Sequence, residues 1–217
     1  MTTITIVDET LTLLPDAALY WARTHTLFIA DVHLGKTDSF RRAALAVPSG
    51  TTLKDLARLT RLITTYDVRR VIVLGDLLHA YGSLSQSALA AFGTWRAAHV
   101  DLELVLIRGN HDRATGDPPK SWGFDVHHPG IVIAPFVLHH EPPRSVPTAG
   151  YALCGHLHPG AHLIGQGRQQ MVLPCFWFQP KVGVLPAFGS FTGTGGIRPT
   201  EGDAVYVIAD GIIMSFA

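Results

Sequence analysis

Three short runs constrain this chain more than anything else in it: TLFIADVH (26–33), VRRVIVLGD (68–76) and LELVLIRGN (102–110). Each is a nearly unbroken apolar stretch that ends in polar residues. Apolar runs without alternation fit strands covered on both faces, because a half-exposed strand alternates apolar with polar. Between the first two lies TTLKDLARLTRLITTY (51–66). Its Leu53, Leu56, Leu59 and Ile63 recur every three or four residues and predict one apolar helix stripe. Between the second and third, SQSALAAFGTWRAAH (85–99) predicts another helix. Ser85 is its N-cap, with Leu89 and Phe92 on one face. Strand–helix–strand units of this length pair in parallel through right-handed crossovers.

After residue 130 the pattern changes. GIVIAPFVLHH, YALCGHLH, QMVLPCFWF and KVGVLPAF are short apolar runs separated by Gly and Pro. In the final AVYVIADGIIMSFA, Asp210-Gly211 sits between two apolar runs as a two-residue hairpin turn. The opening TITIVDETLTLLP alternates as another hairpin, expected in the same layer. The sum is one α/β domain over 1–217, two packed sheets with helices outside. With 217 residues, 47% of them hydrophobic, the chain can bury a core without help from a disulfide or metal. Lys+Arg and Asp+Glu both number 17, so an anionic partner must be held by a local site, not by global attraction. The opening MTTITIVDET lacks the basic and apolar regions of a signal peptide, and no apolar run suits a membrane span. The cytoplasm is the expected compartment, with no membrane partner.

The polar strand ends carry the chemistry. In chain order they are Asp31-Val32-His33, Gly75-Asp76, Gly109-Asn110-His111-Asp112, His139-His140 and Gly155-His156-Leu157-His158. Asp31 and His33 are two apart, so in an extended segment their side chains leave on the same side. His156 and His158 share that spacing. Parallel strands deliver their carboxyl ends to one edge, where open α/β sheets bind ligands. Imidazole, carboxylate and amide oxygen without thiolate suit Mn, Fe, Zn, Co or Ni in an open site. Seven ligands are too many for one ion but suit two sharing a bridging carboxylate. Two such ions about 3.5–4 Å apart clamp an in-line displacement at phosphorus.

These five motifs, in this order, resemble those of the calcineurin-like binuclear metallophosphoesterases: D-x-H, G-D, G-N-H-[DE], H and G-H-x-H, here from Thr26 to His158. The resemblance implies a four-layer α-β-β-α sandwich with mixed sheets. It assigns one metal to Asp31, His33 and His158. The other goes to Asn110, His156 and a histidine of the 139/140 pair, with Asp76 bridging. His140 is favoured because it leads His140-Glu141-Pro142; His139 is the alternative. His111 would aid the leaving oxygen, with His79 in support, while a hydroxide bound at the metal centre attacks phosphorus.

The flanks narrow the likeness. Asp31-Val32-His33-Leu34-Gly35-Lys36, Phe40-Arg41, Val47-Pro48-Ser49-Gly50, Leu74-Gly75-Asp76-Leu77-Leu78-His79, Pro174-Cys175-Phe176-Trp177 and the run from Leu185 to Gly193 look like one subfamily. It is that of the bacterial ligase-associated DNA damage response endonucleases, the PdeM-like phosphoesterases. The resemblance implies a manganese-dependent endonuclease with single-stranded DNA preferred, working beside a DNA ligase, a helicase and an exonuclease. His79, three residues after Asp76, also resembles the double-strand-break repair nucleases and counts against a phosphoprotein substrate.

Lys36 and Arg41 are candidate phosphate contacts, or with Arg42 a solvated cluster. Phe176, Trp177, Phe188 and Phe191 read chiefly as core, with base stacking as the alternative. Cys154 and Cys175 read as buried, inert thiols. Two other functions suit the same scaffold: a small-molecule phosphomonoesterase or cyclic-nucleotide phosphodiesterase, and a non-catalytic nucleic-acid-binding module.

Overall fold

The three apolar runs are adjacent strands of one sheet. The computed structural model describes every residue except 1, 48, 49, 81, 83, 147, 149, 166, 168 and 217, so Pro48 and Ser49 of the subfamily motif lie outside the described residues. The first sheet runs in chain order: β1 (Thr2–Ile6), β2 (Glu9–Leu14), β3 (Ala18–Trp21), β4 (Thr26–Ile29), β5 (Arg70–Val73), β6 (Glu103–Ile107) and β7 (Phe124–His127). Pairing is antiparallel from β1 to β4 and parallel from β4 to β7. The parallel connections carry α1 (Lys36–Arg42), α2 (Thr51–Thr65), α3 (Gln86–Ala98) and α4 (Asn110–Thr115). Ser85 caps α3 as expected, its side chain accepting from the Ala88 N–H.

The second sheet holds β8 (Gly130–Ile133), β9 (Phe136–His139), β10 (Tyr151–Cys154), β11 (Pro159–Ile164), β12 (Gln170–Phe178), β13 (Val182–Val184), β14 (Gly195–Gly196), β15 (Ala204–Ala209) and β16 (Ile212–Ser215). It too is mixed, and β10 lies parallel to both β9 and β13. Asp210 and Gly211 take φ of 47° and 75°, as the tight turn between β15 and β16 requires.

Alternate residues of β4, β5 and β6 face opposite cores, which is why those runs read as unbroken. Phe28, Ile72, Val105 and Ile107 pack between the sheets with Trp21, Phe136, Leu153 and Phe176. Leu27, Ile29, Val71 and Val73 pack under the helices with Leu56, Leu59, Phe92 and Trp95. The expected α/β class with two packed mixed sheets is the observed fold, and of the outer layers of the expected α-β-β-α order the one over the first sheet is formed by α2 and α3. The outer face of the second sheet carries only a small cluster around Ala161, Cys175, Val205 and Val207. Among the described residues no α-helix follows Thr115.

Two expectations need correction. The β1–β2 hairpin forms, but it belongs to the first sheet and β15–β16 to the second. Alternation identifies a hairpin, whereas the short link to β3 decides which sheet it joins. The α2 stripe is also shifted: Leu53 is 62% exposed, while Leu56, Leu59 and Leu62 are buried. Nine residues at 3.6 per turn put Leu53 and Leu62 about 180° apart on the helix, so only one can face the sheet.

Phe28 is wholly buried, edge-on to Phe136 at 6.3 Å across the seam between the sheets. Phe28→Ala should therefore lower the unfolding free energy by about 3–5 kcal/mol. A lower denaturant midpoint at unchanged m-value would report it.

Candidate metal centre

Six parallel strands end at one edge of the molecule. In the first sheet β4, β5 and β6 lead into Asp31-Val32-His33, Gly75-Asp76 and Gly109-Asn110-His111; in the second, β9 and β10 lead into His140 and His156-Leu157-His158, and β13 into Leu185–Gly193. A bridge between Ala30 and Ala187 joins the sheets there.

The spacing expected to align Asp31 with His33 works by another route. These two residues are not extended: Asp31 and His33 take φ of 53° and 51°, Asp76 takes 50°, and His156 and His158 take 70° and 44°. Five polar side chains thus sit on left-handed backbone, which costs non-glycine residues roughly 1–2 kcal/mol each. The motif glycines are set by crowding. A Cβ on Gly75 would lie 2.0 Å from His140 Nδ1, and one on Gly109 2.0 Å from Asp76 Oδ1.

Three groups of possible ligands result, one of them all imidazole (His33, His79 and His111) and two that include a carboxylate. Asp31, His33 and His158 offer atoms within 4.8 Å of one another, as do Asp76, His140 and His156. Asp76 lies between them, with Oδ2 3.9 Å from His33 Nε2 and Oδ1 3.5 Å from His140 Nε2. Asn110 joins the second group, its Oδ1 3.0 Å from His140 Nε2. Of the adjacent pair, His140 is buried at this edge, while His139 ends β9 beside Gly130.

The donor set fits divalent cations. His140 Nδ1 donates to the Leu74 carbonyl at 3.0 Å, which leaves Nε2 as a lone pair facing Asn110 Oδ1 and, at 3.0 Å, His156 Nδ1. His33 Nε2 and His158 Nε2 likewise face each other at 3.5 Å. Asp31 Oδ1 is buried with no hydrogen-bond partner. Such an arrangement of acceptors is costly when bare and favourable around a cation. Burial, with Lys36 next in effect, pushes the His33 imidazole down to about 2, so the ring stays neutral and keeps one nitrogen lone pair free. Burial pushes the Asp76 carboxyl up, an anion short of positive partners.

His111 and His79 stand over this cluster. His111 Nδ1 donates to the His79 carbonyl at 2.6 Å, so Nε2 points inward, 4.0 Å from Asp76 Oδ2. The His79 ring stacks on His111 at 5.4 Å and, pushed down to about 4 chiefly by burial, is neutral near pH 7. Lys36 is half-buried at the rim, close enough to act on His33 and His79. Arg41 lies further along α1, 3.9 Å from Asp38 and lining a neighbouring groove with Thr51. Cys154 and Cys175 are free and buried, and burial pushes both thiols up, as inert groups should be.

Sequence reasoning passed over Asp112. Its buried carboxylate accepts the N–H groups of Leu77, Leu78 and Gly109 at 3.3, 2.9 and 2.9 Å, which fixes the Asp76 loop against the Asn110 loop. The last letter of G-N-H-D was the available signal.

A cluster of candidate divalent-metal ligands at the junction of two mixed sheets is the arrangement of a metal-dependent hydrolase. The model of the calcineurin-like phosphoesterase family matches residues 24–161, and the chain belongs to that family. Membership implies a binuclear divalent metal centre. Among solved structures, the chain is similar to a Pseudomonas putida nuclease MPE, with 40% identity over 99% of each chain and a TM-score of 0.85. Two fainter likenesses carry no argument. One is an Aquifex aeolicus protein of unknown function (18% identity, 61% of this chain and 78% of that one, TM-score 0.40). The other is the E. coli phosphoesterase Yfce (13% identity, 87% and 96%, TM-score 0.46). No curated protein matches. Among the described residues no helix is long and apolar enough to cross a membrane.

Asp112→Ala leaves three N–H groups without an acceptor. It should cost on the order of 3 kcal/mol in stability and weaken metal binding about 10–100-fold. Denaturant titration and metal titration calorimetry measure the two effects.

Proposed function

We propose that this chain is a manganese-dependent DNA endonuclease that hydrolyses phosphodiesters in unpaired strands during DNA repair. The end-to-end likeness to a nuclease at 40% identity carries this reading. The flanking motifs that resemble the ligase-associated endonucleases support it, and support a role beside a DNA ligase, a helicase and an exonuclease in the cytoplasm. Asp31, His33 and His158 would hold one ion, Asn110, His140 and His156 the other, with Asp76 shared. Bound there, the ions supply Lewis acidity toward phosphoryl oxygens and a water acid enough to lose its proton near neutral pH.

The protein's own groups do the rest. No Ser or Cys nucleophile stands in the motifs, so displacement at phosphorus is direct and leaves no covalent enzyme intermediate. His111 Nε2, aimed inward by the Nδ1 bond to the His79 carbonyl, gives a proton to the departing oxygen. The neutral His79 ring holds His111 in place by stacking. Lys36 steadies the phosphate at the rim, and Arg41 the strand beyond it. A poor alkoxide leaving group needs both stabilised charge and this proton. An open strand-edge crevice admits a flexible single strand more readily than a stiff duplex.

Asp76→Ala should abolish binding of both ions, because it removes the shared ligand; elemental analysis counts them. His111→Ala should keep both ions and lose about 100- to 10,000-fold in turnover. Loss of metal in that variant would make His111 a ligand instead of an acid.

Closed circular single-stranded DNA with manganese tests the activity itself. Linear and shorter products are expected on a gel. A surviving circle, alongside rapid turnover of phosphomonoesters, would replace the nuclease by a phosphatase.

A further inference from the structure

The rings of the metal centre do not end at its ligands. His33 lies edge-on to His79 at 5.6 Å and to His111 at 5.0 Å. Phe40 of α1 lies edge-on to His79 at 6.1 Å, and Phe191 edge-on to Phe40 at 5.8 Å. A continuous aromatic path therefore runs from a candidate ligand out to partly exposed phenylalanines. Phe176 and Phe188, by contrast, are 0% and 1% exposed. Phe40 and Phe191 are the two that stay half-buried beside the site.

The loop presenting Phe191 is firmly held. Ser190, its neighbour, donates from its N–H and hydroxyl to the Asp55 carboxylate. Arg58 pairs with Asp55 at 3.1 Å and donates to the Phe188 carbonyl. Gly189 N–H donates to the Asp31 carbonyl at 3.2 Å, tying the loop to a metal-ligating segment. Buried charge thus fixes a ring that is itself left partly open. Phe191 also lines one cavity with His33, Lys36 and Thr192, so a basic and an aromatic residue border the same space.

A nucleotide offers an anionic phosphate and a flat apolar base close together. Lys36 and the metal edge suit the first; the aromatic pair suits the second. Stacking on a ring is open to any base but only when that base is unpaired. We propose that Phe40 and Phe191 form the stacking surface for an unpaired nucleobase beside the scissile phosphate. They thereby set the preference for nucleic acid over base-free phosphodiesters. The proposal rests on the nuclease reading above and names the feature of the substrate that the site reads.

Two single-stranded oligonucleotides of equal length test it, one with all its bases and one built of abasic sugar units. Fluorescence anisotropy without manganese reads binding, and gel analysis with manganese reads cleavage. The native protein should favour the base-bearing strand about tenfold in both. F191L should bring that ratio close to one, and F191W should retain it. F40L repeats the comparison should F191L fail to fold. A native ratio near one, or a ratio undiminished in both leucine variants, overturns the proposal. So does an equal loss on both strands in F191L, which marks a purely structural ring. Cleavage of both strands alike sinks the stacking surface while leaving the nuclease reading intact. Cleavage of neither strand removes both.

Discussion

Two carboxylates almost sealed from water, Asp31 and Asp76, govern the arrangement around them. A buried anion must be met by donors or cations. Each here accepts one backbone N–H from the segment that follows another strand: Asp31 Oδ2 from His156 and Asp76 Oδ1 from His111 in the first turn of α4, both at 2.9 Å. The first bond crosses between the sheets, and the second links neighbouring strands of one sheet. Gly75 and Gly109 are glycines because nothing larger fits beside these groups. Asp112 gathers three N–H groups so that the loops keep their distance. The remaining deficit of positive charge is what divalent ions would supply.

Much of this was legible in the chain. Strands β4, β5 and β6 showed themselves because each is buried on both faces, and their polar ends marked the edge where the histidines gather. The ordered motifs made the family readable, and the structure brings Asp31, His33, Asp76, Asn110, His140, His156 and His158 together. Other features depend on where distant elements pack, which sequence spacing does not encode. Leu53 and Leu62 both satisfy a helix stripe, and only contact with the sheet selects Leu62. Asp55 looks like an ordinary helix carboxylate until Ser190 arrives from 135 positions away. Phe40 showed only as part of the Phe40-Arg41 flank, and its reach to both His79 and Phe191 was hidden.

The left-handed backbone at Asp31, His33, Asp76, His156 and His158 was equally hidden. A D-x-H spacing suggests extended chain, yet these residues adopt a conformation that side chains disfavour. Neighbouring hydrogen bonds hold them there: His33 N–H donates to the Asp76 carbonyl at 2.9 Å and Asp31 N–H to the Gly75 carbonyl at 3.1 Å. Strain kept in this way leaves little reorganisation to be done when a ligand arrives, which favours tight and selective coordination.

The candidate ligands come from both sheets, residues 31–110 from the first and 140–158 from the second. Neither half of the chain contains a complete set. An ion that recognises only the docked sheets strengthens their docking with the logarithm of its free concentration. Cohesion of the fold and metal supply are therefore linked quantities. The Ala30–Ala187 bridge lies at the same edge, so an ion held there would reinforce a junction the backbone already makes.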